Sequence, residues 1–439
     1  MPTSPSSAAA PDKREALTII HSLGTSGQPP KLGATHTNVG TEPILRRLRE
    51  DYVEGICASM DGQDGHAVCK LVEGDYGNGK TQFLRCFQET AWKENYVTAF
   101  VELSQDECPL DRNDRVYSAV ARAVQARPLN ASDVDRSMGL DLALAQLLDR
   151  KFPQVLTGLP DEALKADAVQ WVESELKNLN IESTAFRVAV TTHLLARLQC
   201  DEEKAAISGM FLRGDPVPPA ELRKLGIFEK NDKANGFRLL RSMCQLLQRS
   251  GLAAGTALLF DEARRTLSLM SSRGQRVACE GLLSVINGCN DGKLPGTIFV
   301  YAVLPEFFTH FADNYPALQG RISVGSRIRI NTIEGIPESE LLLKIGRRIA
   351  QIFDAAYSFK VEDSAALDGN LRQLANAAIQ QTMGTGTRRL FVKSCVQMLR
   401  DTRERGFEPL DAVGVEKLLA GVSDELRGSE AAATAQAGE

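Results

Sequence analysis

The stretch "KLVEGDYGNGKTQFLRCF", residues 70–87, limits what this chain can fold into more than any other. An apolar run with β-branched residues, "HAVCKLVE" (66–73), reads as a strand. Gly74, Gly79, Lys80 and Thr81 match G-x-x-x-x-G-K-[ST]. Phe83, Phe87 and Ala91 follow at i, i+4 and i+8, one buried stripe of a helix. Strand, glycine loop and helix in this order specify a phosphate-binding turn inside an α/β fold. Gly74, Gly77 and Gly79 let the backbone turn so that successive N–H groups face phosphate oxygens. The helix adds its positive N-terminal end. Lys80 is expected to reach the β- and γ-phosphates and Thr81 to ligate magnesium, with Asp75, Tyr76, Asn78 and Gln82 completing the nucleotide-binding stretch.

A site of this kind needs a second carboxylate for the metal, usually at the end of an apolar strand beside the loop strand. "GTALLFDEA" (255–263) supplies it. Asp261 is expected to hold magnesium. Glu262, the next residue, is expected to polarise the attacking water as general base. The other reading is a pair of surface carboxylates capping the following helix, which the four apolar residues before Asp261 argue against. A small-molecule kinase does not need a water-activating Glu beside the metal Asp. No N-K-x-D for guanine occurs, so ATP is preferred over GTP.

Further strands are expected at 96–103 ("YVTAFVEL"), 296–304 ("GTIFVYAVL") and 327–333 ("RIRINTI"). A helix is expected over "DRVYSAVARAVQA", residues 114–126. Strands alternating with helices predict a three-layer α/β core with a parallel sheet around the phosphate loop. The expected boundaries are a disordered arm (1–13), N-terminal helices with the first half of the core (14–127), a helical insertion (128–250), the second half of the core (251–336), a helical lid (337–426) and a disordered tail (427–439). In the second N-terminal helix, Thr41 is the expected N-cap and Pro43 suits the first turn. The insertion either meets partners or is an inert elaboration.

The 439 residues are 43% hydrophobic and 24% charged, ordinary for a globular protein with a large core. The net charge of -5 argues against a chain-wide nucleic-acid coat. Nine scattered cysteines without C-x-x-C make a zinc ribbon improbable and read as buried reduced thiols. No apolar run approaches the length of a membrane span, and the first residues lack a signal-peptide core, so a soluble cytoplasmic protein is expected. The five histidines show no metal or triad spacing and read as structural.

Three arginines are candidates for acting from outside the loop. Arg321, just before the last expected strand, either reaches a neighbour's γ-phosphate in a homo-oligomer or is solvent-exposed. Arg388 and Arg389 open a helix of the lid and either touch the phosphates from above or belong to a solvated basic face. Residues 381–405 carry six basic side chains against two acidic ones, an excess that also suits a nucleic-acid backbone. The end of the strand "TIFVYAVL", at Ala302 and Val303, lacks the Asn or Thr that senses the γ-phosphate in many such ATPases.

"HTNVGTEPILRRLREDY", the phosphate-loop stretch, "ALLFDEA", "YPALQGRI" and "TRRLF" together resemble the BREX-system ATP-binding domain family, a P-loop group among the AAA+/STAND-like ATPases. The resemblance runs from about residue 15 to 400 and is strongest at the phosphate loop. It implies a component of a bacterial phage-defence system, encoded beside methyltransferase, phosphatase-like and helicase components. "VGTE" is similar to a Gly-x-Glu box near the nucleotide, which implies that Gly40 and Glu42 line the site. The expected activity is ATP hydrolysis to ADP and phosphate, low or partner-dependent, coupled to changes in a DNA-acting complex. The alternatives are a nucleotide-gated scaffold that barely turns ATP over, favoured by the missing sensor, and a DNA-translocating motor with a basic channel.

Overall fold

A computed structural model describes residues 10–436 except 105–106, 131–132, 159–160, 263–271, 309–314, 323, 331–335, 361–363, 383–385 and 407–408. The chain divides into two compact units: Met1–Leu45, Gly74–Glu89 and Arg329–Glu439 form one, and Arg46–Glu73 and Thr90–Ile328 the other. The strands are β1 (Val68–Glu73), β2 (Tyr96–Glu102), β3 (Val124–Gln125), β4 (Gly255–Asp261), β5 (Thr297–Val303) and β6 (Arg327–Arg329). The helices before the expected insertion are α1 (Lys13–Ser26), α2 (Glu42–Leu48), α3 (Lys80–Lys93) and α4 (Asn113–Ala123). Then come α5 (Leu140–Lys151), α6 (Glu162–Trp171), α7 (Thr184–Leu198), α8 (Glu202–Leu212), α9 (Pro219–Lys224) and α10 (Gly236–Arg249). The last six are α11 (Ser272–Asn290), α12 (Pro316–Gln319), α13 (Glu338–Tyr357), α14 (Ser364–Thr382), α15 (Thr387–Arg405) and α16 (Ala412–Gln436).

The sheet of the second unit has the order β3-β2-β4-β5-β1-β6. β2, β4, β5 and β1 run parallel, and β3 pairs antiparallel with β2. The fold is α/β with a mostly parallel sheet, compatible with a P-loop nucleotide-binding core. All seven residues of β4 and of β5 are buried, which is why they read as unbroken apolar runs and not as alternation. β5 lies between β1 and β4, so the strand carrying Asp261 is not beside the loop strand, as the sequence reading had it. β3 was also unforeseen: the expected helix over 114–126 stops at Ala123, and Val124 and Gln125 turn back along Ala99 and Thr98. Of the strand expected over 327–333, Arg327–Arg329 forms, and 331–333 lie outside the described residues.

The helices of the expected insertion share the core of the sheet. Leu140, Leu144, Phe186 and Val190 belong to one buried cluster with Leu258 and Phe299. α10 packs on β4 and on α4.

The first unit is built around α1, which packs on α13 and α15, while α14 and α16 complete the bundle. Asp12 caps α1, its Oδ1 accepting the Glu15 N–H at 2.8 Å, and Gly27 ends it at φ 63°. Ile19, Ile20 and Leu23 bury one stripe among Leu342, Ile349 and Phe391. Sequence order alone set α1 with the residues before the phosphate loop; packing sets it with helices more than 300 residues away. α16 continues to Gln436, through most of the stretch expected as a disordered tail; "EAAATAQ" is rich in alanine, the strongest helix former. Residues 1–9 of the expected arm lie outside the described residues.

Candidate nucleotide-binding site

The apolar β1 delivers the chain into the glycine loop at Gly74. Gly77 (φ 79°) and Gly79 (φ 89°) take left-handed conformations that side chains disfavour. Alternating hands of this kind turn successive backbone N–H groups toward one side, the geometry of an anion nest. The loop closes on itself through Asn78 N–H to Asp75 O at 3.2 Å, and α3 begins with Phe83 N–H to Gly79 O at 2.9 Å. Lys80 is buried, 7% exposed, and its ammonium donates to the carbonyls of Gly74 (2.7 Å) and Asp75 (3.0 Å). Its charge is thereby held inside the turn. Thr81 follows, half-buried on the first turn of α3.

Other parts of the same unit hold the loop. The Gly386 N–H donates to Tyr76 O at 3.2 Å. Arg388, the second residue of α15, donates from Nη1 to Asn78 O at 2.5 Å. Its Nε and Nη2 donate to the two carboxylate oxygens of Glu338 at 3.0 and 3.1 Å. Arg389 donates to Ser26 O at 3.0 Å, and its Nη1 lies 3.5 Å from Tyr76 Oη. A Cβ on Gly77 would stand 2.5 Å from Gly386 Cα, so the two backbones touch where neither has a side chain. The sequence left Arg388 and Arg389 either touching the phosphates from above or on a solvated basic face; here both bond groups of the protein. It did not single out Glu338 or Gly386.

The first turns of α3 also fasten the segment ahead of the core. Gln82 donates to Ala34 O (2.7 Å) and Thr37 Oγ1 (3.1 Å). The Glu89 carboxylate, two turns further on, accepts from Ala34 N–H (2.6 Å) and Thr35 Oγ1 (2.6 Å). Gly40 then turns the chain at φ 88°, and Glu42 is the first residue of α2. Thr41 accepts the Leu45 N–H through its carbonyl at 3.0 Å, and its hydroxyl donates to Asn38 Oδ1 at 2.6 Å. Glu89 was not foreseen as a partner of this segment.

In the second unit, the parallel strands bring their carboxyl-terminal residues to one edge. Asp261 pairs in register with Glu102 of β2 and Ala302 of β5, and Val303 pairs with Glu73 of β1. Asp261 and Glu262 are 3% and 5% exposed, which excludes the reading of them as surface carboxylates. The Asp261 carbonyl accepts the Leu103 N–H at 2.8 Å, fixing the strand end. Glu73, the last residue of β1, receives Arg327 Nε at 2.5 Å, and that guanidinium stacks 3.6 Å over the Phe308 ring. This pair ties β6 to β1 and was not foreseen. Arg321 is exposed and lines a cavity of about 230 Å³ with Cys69, Lys70, Cys289 and Asn290.

The basic stretch of α15 is partly engaged within its own unit. Lys393, 8% exposed, bonds the Glu425 carboxylate at 2.8 Å, and Arg403 stacks 4.3 Å over the Tyr357 ring. With Arg388 on Glu338, the six-to-two excess counted along the sequence overstates the charge left for a polyanion. His193 is buried in the second unit, where its Nδ1–H donates to Ala205 O at 3.0 Å; burial holds its pKa below the usual value. Burial also pushes Cys57, Cys108 and Cys395 up to about 12, so they stay thiols. Among the described residues no cluster of three or more His, Cys, Asp or Glu is set to hold a metal, and no helix is long and apolar enough to cross a membrane.

A mostly parallel sheet whose first strand runs into a glycine loop and a helix that begins with Lys-Thr gives the class: an α/β protein compatible with the P-loop nucleotide-binding type. The chain belongs to the family described as BREX system ATP-binding protein BrxC/D, whose model matches residues 12–411. No curated protein and no solved structure matches the chain.

Proposed function

We propose that the chain binds and hydrolyses ATP as a component of a bacterial BREX phage-defence system. Membership of the ATP-binding family supports the ligand and the setting. The observation that carries the site is the buried Lys80 ammonium, held by the loop carbonyls at the start of α3. A lysine there exchanges backbone dipoles for phosphate oxygens when an anion enters the nest. The positive-φ glycines, the absence of side chains at 77 and 79 and the helix N-terminus fit a polyphosphate.

The chemistry assigned to each residue follows from its setting. Lys80 neutralises charge on the β- and γ-phosphates. The Thr81 hydroxyl and the Asp261 carboxylate, both hard oxygen ligands, are the groups for magnesium. Bound magnesium supplies Lewis-acid stabilisation of the phosphate charge. Glu262, buried and anchored by the strand end, takes the proton of the attacking water. Gly40 and Glu42 are assigned to the nucleotide surroundings through the segment that Gln82 and Glu89 hold. Arg321 is assigned to a neighbour's nucleotide only if the chain assembles. Partners are other defence-system proteins, a helicase or methyltransferase among them.

The second reading, a nucleotide-gated scaffold with little turnover, is favoured by the buried apolar end of β5, where Ala302, the register partner of Asp261 on that strand, and Val303 carry no polar side chain. Steady-state ATP hydrolysis with and without duplex DNA separates the two. Turnover that is lost in Lys80→Ala and Glu262→Gln supports the ATPase. Tight ATP binding without turnover, alone and with DNA, supports the scaffold.

A further inference from the structure

In a nest, successive backbone N–H groups point to one side. The N–H side is the one a phosphate meets. Arg388 bonds a carbonyl, that of Asn78, and the Gly386 N–H bonds another, that of Tyr76. A Cβ built on Gly79 would lie 3.5 Å from Arg388 Nη1, so the guanidinium sits against the backbone of the loop's last glycine. Glu338 fixes that guanidinium with a two-point bond from the first residue of α13. Arg388 is 12% exposed in its side chain, and this fork–fork geometry leaves it little freedom to turn elsewhere.

We propose that Glu338 and Arg388 are positioning residues that brace the phosphate loop from its carbonyl side, so that they set affinity for the nucleotide's diphosphate portion and do not read the γ-phosphate. The proposal rests on the reading of residues 74–81 as a nucleotide loop. A bonded carbonyl at Asn78 fixes the peptide plane between Asn78 and Gly79, and with it the direction of the Gly79 N–H. Phosphates common to ATP and ADP are met by that backbone. The brace therefore contributes equally to both nucleotides, whereas a guanidinium that touches the γ-phosphate contributes to ATP alone. Because Glu338 touches the loop only through Arg388, its loss is felt only while Arg388 is present.

The test is titration calorimetry of ATP and of ADP, each with magnesium, on the full chain and on Glu338→Gln, Arg388→Ala and the double variant. Arg388→Lys serves as a milder substitute that keeps charge but not the fork, and thermal unfolding checks that each variant folds. Losing a charge-assisted bond predicts that Glu338→Gln and Arg388→Ala each weaken ATP and ADP by the same factor, about tenfold. The double variant is expected to match Arg388→Ala alone. Loss of ATP affinity with ADP unchanged overturns the proposal in favour of γ-phosphate contact. Unchanged affinity for both, or additive losses in the double variant, also overturns it. A wild-type chain that binds neither nucleotide instead removes the nucleotide-binding reading itself.

Discussion

The phosphate loop and the edge that carries Asp261 and Glu262 position functional groups by opposite means. At the strand edge, side chains are the groups proposed for the chemistry, and the sheet places them. β4 is buried along its whole length, and its last residue is set by register with β2 and β5. At the loop, the backbone is the group proposed to bind, and no regular ladder holds it. Its carbonyls are engaged by Lys80, Gly386 and Arg388, and the last two arrive from residues some 300 positions later. A strand-borne site is therefore robust to distant change, whereas a loop-borne site takes its shape from the helical bundle packed on it.

That contrast is sharpest in Glu262→Gln. The substitution keeps the volume and removes the proposed base, so turnover is expected to fall by roughly 10²–10⁴-fold while ATP affinity stays within a few-fold. Single-turnover hydrolysis beside equilibrium binding checks it, and equal loss of both would dissolve the distinction. Next comes a pair within the loop. Gly77→Ala and Gly79→Ala both force alanine into a left-handed conformation, at roughly 1–2 kcal/mol each. Only Gly77→Ala also drives a methyl into the Gly386 backbone, so it should lower the unfolding midpoint more. Equal midpoints would mean that the helical bundle yields to the loop.

A smaller effect belongs to the second unit. His193 has a folded-state pKa below its unfolded one because burial disfavours the charged ring. Its contribution to stability is present above about pH 6.5, the ordinary histidine value, and is lost as pH falls toward the lower folded value. The unfolding midpoint should drop between pH 7.5 and 5.5, and the drop should shrink in His193→Gln. The smallest concerns thiols: Cys200 is exposed and should react first with a maleimide in the native protein, ahead of buried thiols such as Cys108 and Cys395, as counted by mass spectrometry.

What was legible in the sequence follows the same division. Gly74 to Thr81 and "LLFDE" stand out in the sequence because the chemistry proposed for them fixes residue type and spacing over a few positions. The β-strands of the core were legible because burial on both faces leaves long apolar runs. Their order was not, since two such runs carry no mark of which neighbour they choose, and β5 came between β1 and β4. Arg388 was visible as a basic residue at a helix start, but its acceptor, the Asn78 carbonyl, belongs to tertiary packing. Glu338 and Glu89 were invisible for that reason: a lone glutamate on a helix looks solvated until its partner is placed. At the alanine-rich end of α16 low hydrophobicity and high helix propensity point in opposite directions, so the sequence alone does not decide that stretch.

Titrating ATP into the wild-type chain and into Lys80→Ala, with magnesium present, tests the account most directly. The account predicts saturable one-to-one binding that Lys80→Ala weakens by about a hundredfold or more, since a buried charge-assisted contact to phosphate is lost. ATP bound equally well by both would show that the glycine loop is not where the nucleotide sits, and would contradict the account.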